Sequence, residues 1–199
     1  FTPIEFIEQI GYELTLSNTY HLLLRPGLER LSSIDGISEF MGWNKPVLTD
    51  SGGFQVMSLS KLRKISEDGV KFQSHIDGAS HFLTPENVID YQNIIKSDIQ
   101  MVLDECIQYP ESYENVKKSM ELSLRWAERS RKHYNKNKSK IYGAQFGIIQ
   151  GGVFEDLRKT SISETVNFDF EGYAIGGLAV GEGHEKMIEV VDYTAPQLP

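Results

Sequence analysis

"KPVLTDSGGFQVMSL", residues 45–59, sets a short apolar run directly before Asp50, Ser51, the pair Gly52-Gly53, Phe54 and Gln55. A run of this length, containing β-branched residues and bounded by turn formers, reads as a strand running into a loop. The glycine pair lets backbone N–H groups approach a ligand without a side chain in the way. The same sequence of events recurs along the chain. Asp104-Glu105 follows "MVL", Gln150-Gly151-Gly152 follows "FGII", and Gly176-Gly177 follows "GYAI".

Helical patterns separate these strands. "FTPIEFIEQIG" reads as a helix with Thr2 as N-cap, Pro3 in the first turn, Glu5 completing a capping box and Gly11 as the stop. "YELTLSNTYHLLLRPG" is a strand leading into a turn or short helix. Thr84-Pro85 opens another helix, before the strand "DIQMVLDEC". Residues 112–134 place Val116, Met120, Leu124 and Ala127 on one helical face. A basic, Asn-rich linker then leads to the strand "IYGAQFGIIQ", the helix "VFEDLRKTSISETV", the strand "GYAIGGLAV" and a final helix from about His184. One segment departs from the alternation: residues 69–83 read as a β-hairpin around the two-residue turn Asp77-Gly78.

Strands thus alternate with helices about five times and are apolar on both faces, which predicts a parallel sheet covered by helices. In a (β/α) barrel the loops after the strands share one end, where active sites lie. The four polar loops are therefore expected to converge on one small ligand.

Composition narrows the function. With 199 residues, 40% apolar and 24% charged, the chain is long enough for one sizeable core. No apolar run is long enough for a membrane span and no signal-peptide pattern opens the sequence, so a cytoplasmic location without membrane association is expected. Cys106 is the only cysteine, which excludes an internal disulfide or a cysteine-based metal cluster, and it reads as core filler. The net charge of -8 argues against a general nucleic-acid coat. Residues 117–140 nonetheless hold nine basic residues against two acids, +7, leaving -15 elsewhere. Lys117, Lys118, Arg125, Arg129, Arg131, Lys132, Lys136, Lys138 and Lys140 read as a solvated outer face. His21, His75, His81, His133 and His184 lack metal-ligand spacing and read as structural or surface residues.

The polar set suits a flat heterocycle. Asp104 would accept from a ligand edge with two adjacent N–H donors, Gln150 could donate to a neighbouring carbonyl, and Phe54 offers a stacking face. Guanine presents that pattern. Each element has a plainer reading: "DSGG" as a turn, Asp104-Glu105 as a solvated strand end, Gly176-Gly177 as a phosphate site at a barrel rim.

Five motifs in order, "LTDSGGFQVMSL", "DECIQYP", "SMELSLRWAERSR", "FGIIQGGVFEDLR" and "GYAIGGLAVGEG", closely resemble the bacterial-type tRNA-guanine transglycosylases, also called queuine tRNA-ribosyltransferases. The resemblance runs from near Thr2 to Pro199. It implies a (β/α)8 TIM barrel, of which this chain would hold about five β/α units plus a β-hairpin insertion. It also implies exchange of guanine at the anticodon wobble position of tRNAs with GUN anticodons for a 7-deazaguanine, either the 7-aminomethyl precursor of queuosine or queuine. By motif, Asp50 resembles the general acid/base, Ser51, Gly52 and Gly53 shape its loop, and Phe54 resembles the ring stacked on the base. Asp104 resembles the acceptor for the guanine N1–H and amine, Gln150 and the Gly177 N–H resemble the donors to O6, and Leu178 falls where the incoming aminomethyl group is recognised.

The implied partners are the tRNA anticodon loop and the two bases, with a homodimer for the full-length protein. The family's nucleophilic aspartate and zinc ligands lie on later segments that these residues do not contain. The expectation is therefore a partial TIM-barrel catalytic domain over residues 1–199, without the last barrel strands and the zinc subdomain, inactive by itself. Two other readings stand beside it: a non-catalytic partner subunit of such an enzyme, and a phosphate-binding barrel enzyme.

Overall fold

A computed structural model describes residues 4–59 and 62–199, with five parallel strands as its frame. They are β1 (Thr15–Asn18), β2 (Val47–Asp50), β6 (Ile99–Met101), β7 (Ala144–Ile149) and β8 (Gly172–Ile175), hydrogen-bonded in the order β1-β2-β6-β7-β8. Spatial order follows chain order without reversal. That is the winding of a barrel, whereas a doubly wound sheet reverses at a switch point. All five carboxyl ends consequently lie on one side.

Helices fill the crossovers. The helices α2 (Thr19–Leu24), α3 (Leu28–Ser33) and α4 (Ile37–Met41) follow β1; α5 (Gly53–Leu59) follows β2. The helix α6 (Pro85–Ile95) precedes β6, and α7 (Tyr113–Asn137), α8 (Glu155–Asn167) and α9 (His184–Thr194) follow β6, β7 and β8. Thr84 caps α6 as expected, its side chain accepting from the Asn87 N–H while Asn87 returns the bond. The first helix, α1 (Ile4–Ile10), ends at Gly11 with φ +86°; the expected caps Thr2 and Pro3 lie outside the described residues.

Several expectations are corrected. The strands are not apolar on both faces: Thr49, Gln100 and Gln145 are fully buried on the helix side of the sheet. Gln92 of α6 explains part of this layer. Its Oε1 accepts from the Thr49 hydroxyl at 2.8 Å and the Met101 N–H at 3.0 Å, and its Nε2 donates to the Met101 carbonyl at 2.9 Å. A side chain thus completes the backbone bonding of β6 where strand pairing stops.

The segment after β2 is helical from Gly53 rather than a plain loop, and the hairpin is larger than expected. The strands β3 (Arg63–Ser66), β4 (Gly69–Gln73) and β5 (Ser80–Leu83) form a separate antiparallel sheet. Its connection spans residues 74–79, with Asp77 and Gly78 inside a longer loop rather than forming a two-residue turn. The basic linker is also shorter than read, because α7 continues to Asn137 and a 3-10 turn covers Lys138–Lys140.

The helix α7 fastens the small sheet to the barrel. Trp126 is buried and donates Nε1 to the Glu67 carbonyl at 2.8 Å, Arg125 pairs with Glu67, and Arg129 pairs with Glu86 of α6. Its basic residues are therefore not all solvated. Arg131 is buried, paired with Glu171 at 2.9 Å and packed over the rings of Tyr134 and Phe170. The histidines are structural where they are engaged. His75 Nδ1 meets the Tyr20 hydroxyl at 2.8 Å and stacks on that ring, and His81 stacks on Phe72.

Candidate functional site

At the carboxyl ends of the strands a cleft opens, lined along one wall by Asp50, Ser51, Gly52, Gly53 and Phe54 and along the other by Ile175, Gly176, Gly177 and Leu178. Asp104, Cys106, Met101, Ile148 and Ala174 complete its lining. Strand parity accounts for the convergence: Asn18 and Asp50 are register partners, and Phe146-Gly172 and Ile148-Ala174 continue the same inward face. Gln150 lies one step behind this wall and reaches the cleft through Asp104.

Close backbone approach demands the glycines. A Cβ on Gly53 would lie 2.5 Å from the Asp104 carbonyl oxygen, and one on Gly177 would lie 2.4 Å from Gln150 Oε1. Gly177 also has φ +64°, a conformation costly for a side-chain-bearing residue. Ser51 is buried on the cleft wall, and its hydroxyl accepts from the Gly53 N–H at 3.3 Å, which ties the loop together. Phe54 is 44% exposed and presents its ring at the mouth.

Asp104 and Gln150 are coupled. Gln150 Nε2 donates to Asp104 Oδ2 at 2.6 Å. An amide carries two donors, and one N–H of Gln150 is committed to the carboxylate. Burial pushes the Asp104 carboxyl up to about 6; the Gln150 bond pulls it down, and the charges of Asp50 and Glu105 add to the rise. Asp50 is also raised by burial, against the pull of the Asn18 amide. Asn18 Nδ2 nevertheless completes no hydrogen bond among the described residues, so the amide lies near the carboxylate without being satisfied by it.

Three features escaped the sequence reading. Asn18 ends "TLSN" as Asp50 ends "VLTD", and that parallel between neighbouring strands was the available signal. Cys106 is half-buried on the cleft wall rather than core filler, its thiol pushed up to about 12 by burial and then by the charge of Asp104. Such a thiol is a poor source of thiolate. Arg158, described below, gave no signal at all.

No group of three or more His, Cys, Asp or Glu side chains among the described residues is placed to hold a metal ion. With one cysteine, held as a thiol on the cleft wall, these residues do not fit the zinc site that the resemblance implies. No helix among the described residues is long and apolar enough to cross a membrane.

Fold and cleft together define a barrel-type α/β chain with a polar ligand site at the carboxyl ends of its parallel strands. The chain belongs to the queuine tRNA-ribosyltransferase family, whose family model matches residues 2–199. It is 54% identical over 98% of its length to the queuine tRNA-ribosyltransferase of Rickettsia typhi, covering 53% of that protein. It is equally identical, over its whole length, to those of Thermodesulfovibrio yellowstonii and Thermoanaerobacter pseudethanolicus, covering 51% and 52% of them. The chain spans about half the length of the curated relatives it matches.

Proposed function

We propose that the protein carrying this chain is a tRNA-guanine transglycosylase, a pentosyltransferase that exchanges guanine at the wobble position of tRNAs with GUN anticodons for a 7-deazaguanine. The observation that carries this reading is the meeting of Asp104, Phe54, Asp50 and the Gly177 backbone around one cleft, with Gln150 bonded to Asp104 behind it. These groups supply an acceptor for adjacent N–H donors, a spare amide N–H and a backbone N–H for O6, and a ring for stacking. The family assignment supports the same reaction.

In this scheme Asp104 binds as the carboxylate and fixes the base edge. Gln150 is held by Asp104 with its remaining N–H turned to O6. Phe54 covers the base face, and Leu178 lies beside the aminomethyl group of the incoming base. Breaking the N-glycosidic bond develops positive charge on the ribose and negative charge on the base, which donors aimed at O6 stabilise. Asp50, raised by burial, takes up and returns the proton at the ribose and departing-base side. A carboxylate must also trap the ribose, and no residue of this chain is assigned that role. Zinc, the anticodon loop and a homodimer belong to the proposal for the whole protein, acting where it acts on tRNA.

The test is incorporation of labelled guanine into unmodified tRNA by the intact protein. Label entering tRNAs with a GUN anticodon, and not the same tRNA with wobble adenine, is the expected result. Failure to bind guanine or to incorporate it would remove the proposal. A phosphate-site reading predicts instead that inorganic phosphate, rather than guanine, protects the protein against thermal unfolding.

A further inference from the structure

Arg158 stands in the first turn of α8 and is fully buried. Its Nε donates to the Gly152 carbonyl at 2.8 Å, and its Nη1 donates to both the Ile149 and the Gly176 carbonyls at 2.8 Å. Among the described residues no carboxylate lies within ion-pair distance of it, although the charge of Glu182 is close enough to favour the guanidinium. Its Nη2 is buried, without a hydrogen-bond partner, and lies 3.7 Å from where a Cβ on Gly177 would stand. Buried charges are ordinarily paired, because an unpaired one is costly. A neutral side chain would close this packing at lower cost if packing were its only task.

The position of the charge suggests the task. The Gly176 carbonyl belongs to the same planar peptide unit as the Gly177 N–H, and in a trans peptide the two point in opposite directions. A cation bonded to the oxygen therefore draws electron density away from the nitrogen and holds the N–H in the opposite direction. Hydrogen bonds in such a chain strengthen one another in a low-dielectric setting. Among the described residues no backbone acceptor takes the Gly177 N–H, and Gly177 lines the cleft. The Ile149 carbonyl is likewise in the peptide of the Gln150 N–H, which donates to Ser161 Oγ at 3.1 Å. One guanidinium thus ties the two donor-bearing loops to each other.

We propose that Arg158 is a positioning residue for the base oxygen: through its bond to the Gly176 carbonyl it orients and polarises the Gly177 N–H toward O6 of the departing purine. The inference rests on the transglycosylase reading and adds a source for the electrostatic stabilisation of the leaving base. When the glycosidic bond breaks, its electron pair stays on the base and spreads onto O6, the atom this peptide faces.

Binding of guanine and of 2-aminopurine, which has no oxygen at that position, separates this role from scaffolding. Both are measured by calorimetry on the intact protein and on Arg158→Met and Arg158→Lys, beside kcat and KM for guanine exchange. The loss of N1–H in 2-aminopurine is common to all three proteins and cancels in the comparison. Arg158→Met is expected to weaken guanine roughly tenfold or more while 2-aminopurine changes less than about twofold, and to lower kcat more than it raises KM. Arg158→Lys, which keeps the charge but cannot hold three carbonyls, is expected to recover part of the guanine preference. Should Arg158→Met not fold, the Lys variant reads the same comparison, with a smaller but still selective loss of guanine binding expected. Equal weakening of both purines, or no change in either, overturns the proposal. A wild-type protein that binds neither purine overturns the transglycosylase reading itself, a separately visible outcome.

Discussion

At the scale of the residue, Asp104 is held against its ordinary behaviour. Its folded pKa of about 6 lies above the unfolded 3.8, so the native state binds the proton more tightly than the unfolded chain. The contribution of this carboxyl to stability is therefore full below about pH 4 and is lost as pH rises through about 6. Asp104→Asn removes the titration, keeps an oxygen for the Gln150 N–H, and is expected to gain on the order of 2 kcal/mol at pH 8, vanishing by about pH 4. Urea unfolding at the two pH values measures it; an equal effect at both would show that the charge is not the cause. The same substitution sets an amide donor against the N–H edge of guanine, so base binding should be lost while stability rises. In the unsubstituted protein guanine affinity should decline below about pH 6, as the accepting carboxylate is protonated. The convergence of Asp50, Phe54, Asp104 and Gly177 on one cleft could be read from sequence because each closes or follows an apolar strand. Arg158 could not, since "DLRK" in a helix reads as an exposed basic turn and only the carbonyls folded against it reveal its use.

At the scale of the element, the least regular strand carries the most demanding residue. β6 is three residues long, and beyond Met101 the chain must reach Asp104 without continuous sheet pairing. Gln92 substitutes for that pairing by bonding both the N–H and the carbonyl of Met101, and Ser97 meets Thr49 Oγ1 at 2.5 Å in the same buried knot. Gln92→Leu fits the volume but leaves the Met101 backbone groups without their partner and the Thr49 hydroxyl with Ser97 alone. A loss of about 2–4 kcal/mol is expected, with guanine binding falling alongside because Asp104 is displaced. Unchanged stability in chemical denaturation would mean that water or another side chain takes over those bonds. The long helix α7 was legible from its periodicity. The helices α3, α4 and α5 span only five to seven residues, too short for a repeating apolar face, and β3 has no strand pattern until β4 pairs with it. The buried glutamines were unreadable for a related reason: their partners lie on other elements.

At the scale of the whole molecule, the sheet has a filled side and an open one. The helix side buries Val47, Thr49, Gln100, Gln145 and Ile149. On the other side, Leu16 is 60% exposed, and its row across the sheet, through Leu48, Ile99 and Ala144, is only partly covered, as are Phe146 and Ile148. Barrel interiors are packed cores, so a face this apolar is built to be covered. Among the described residues β1 and β8 are each paired on one side only, and such edges are open to pairing by further strands. The 199-residue chain expressed alone is therefore expected to bind an apolar dye such as ANS and to self-associate with rising concentration in sedimentation experiments. Leu16→Lys should lessen both effects without lowering the unfolding midpoint by more than about 0.5 kcal/mol, because the site is already solvent-facing. A protein that carries the chain with additional strands should bind little dye, and the Lys substitution should then destabilise it, because the new charge would be enclosed. A dye-free, monomeric 199-residue chain would show that the face is covered from within these residues and that no strands are needed to close the barrel.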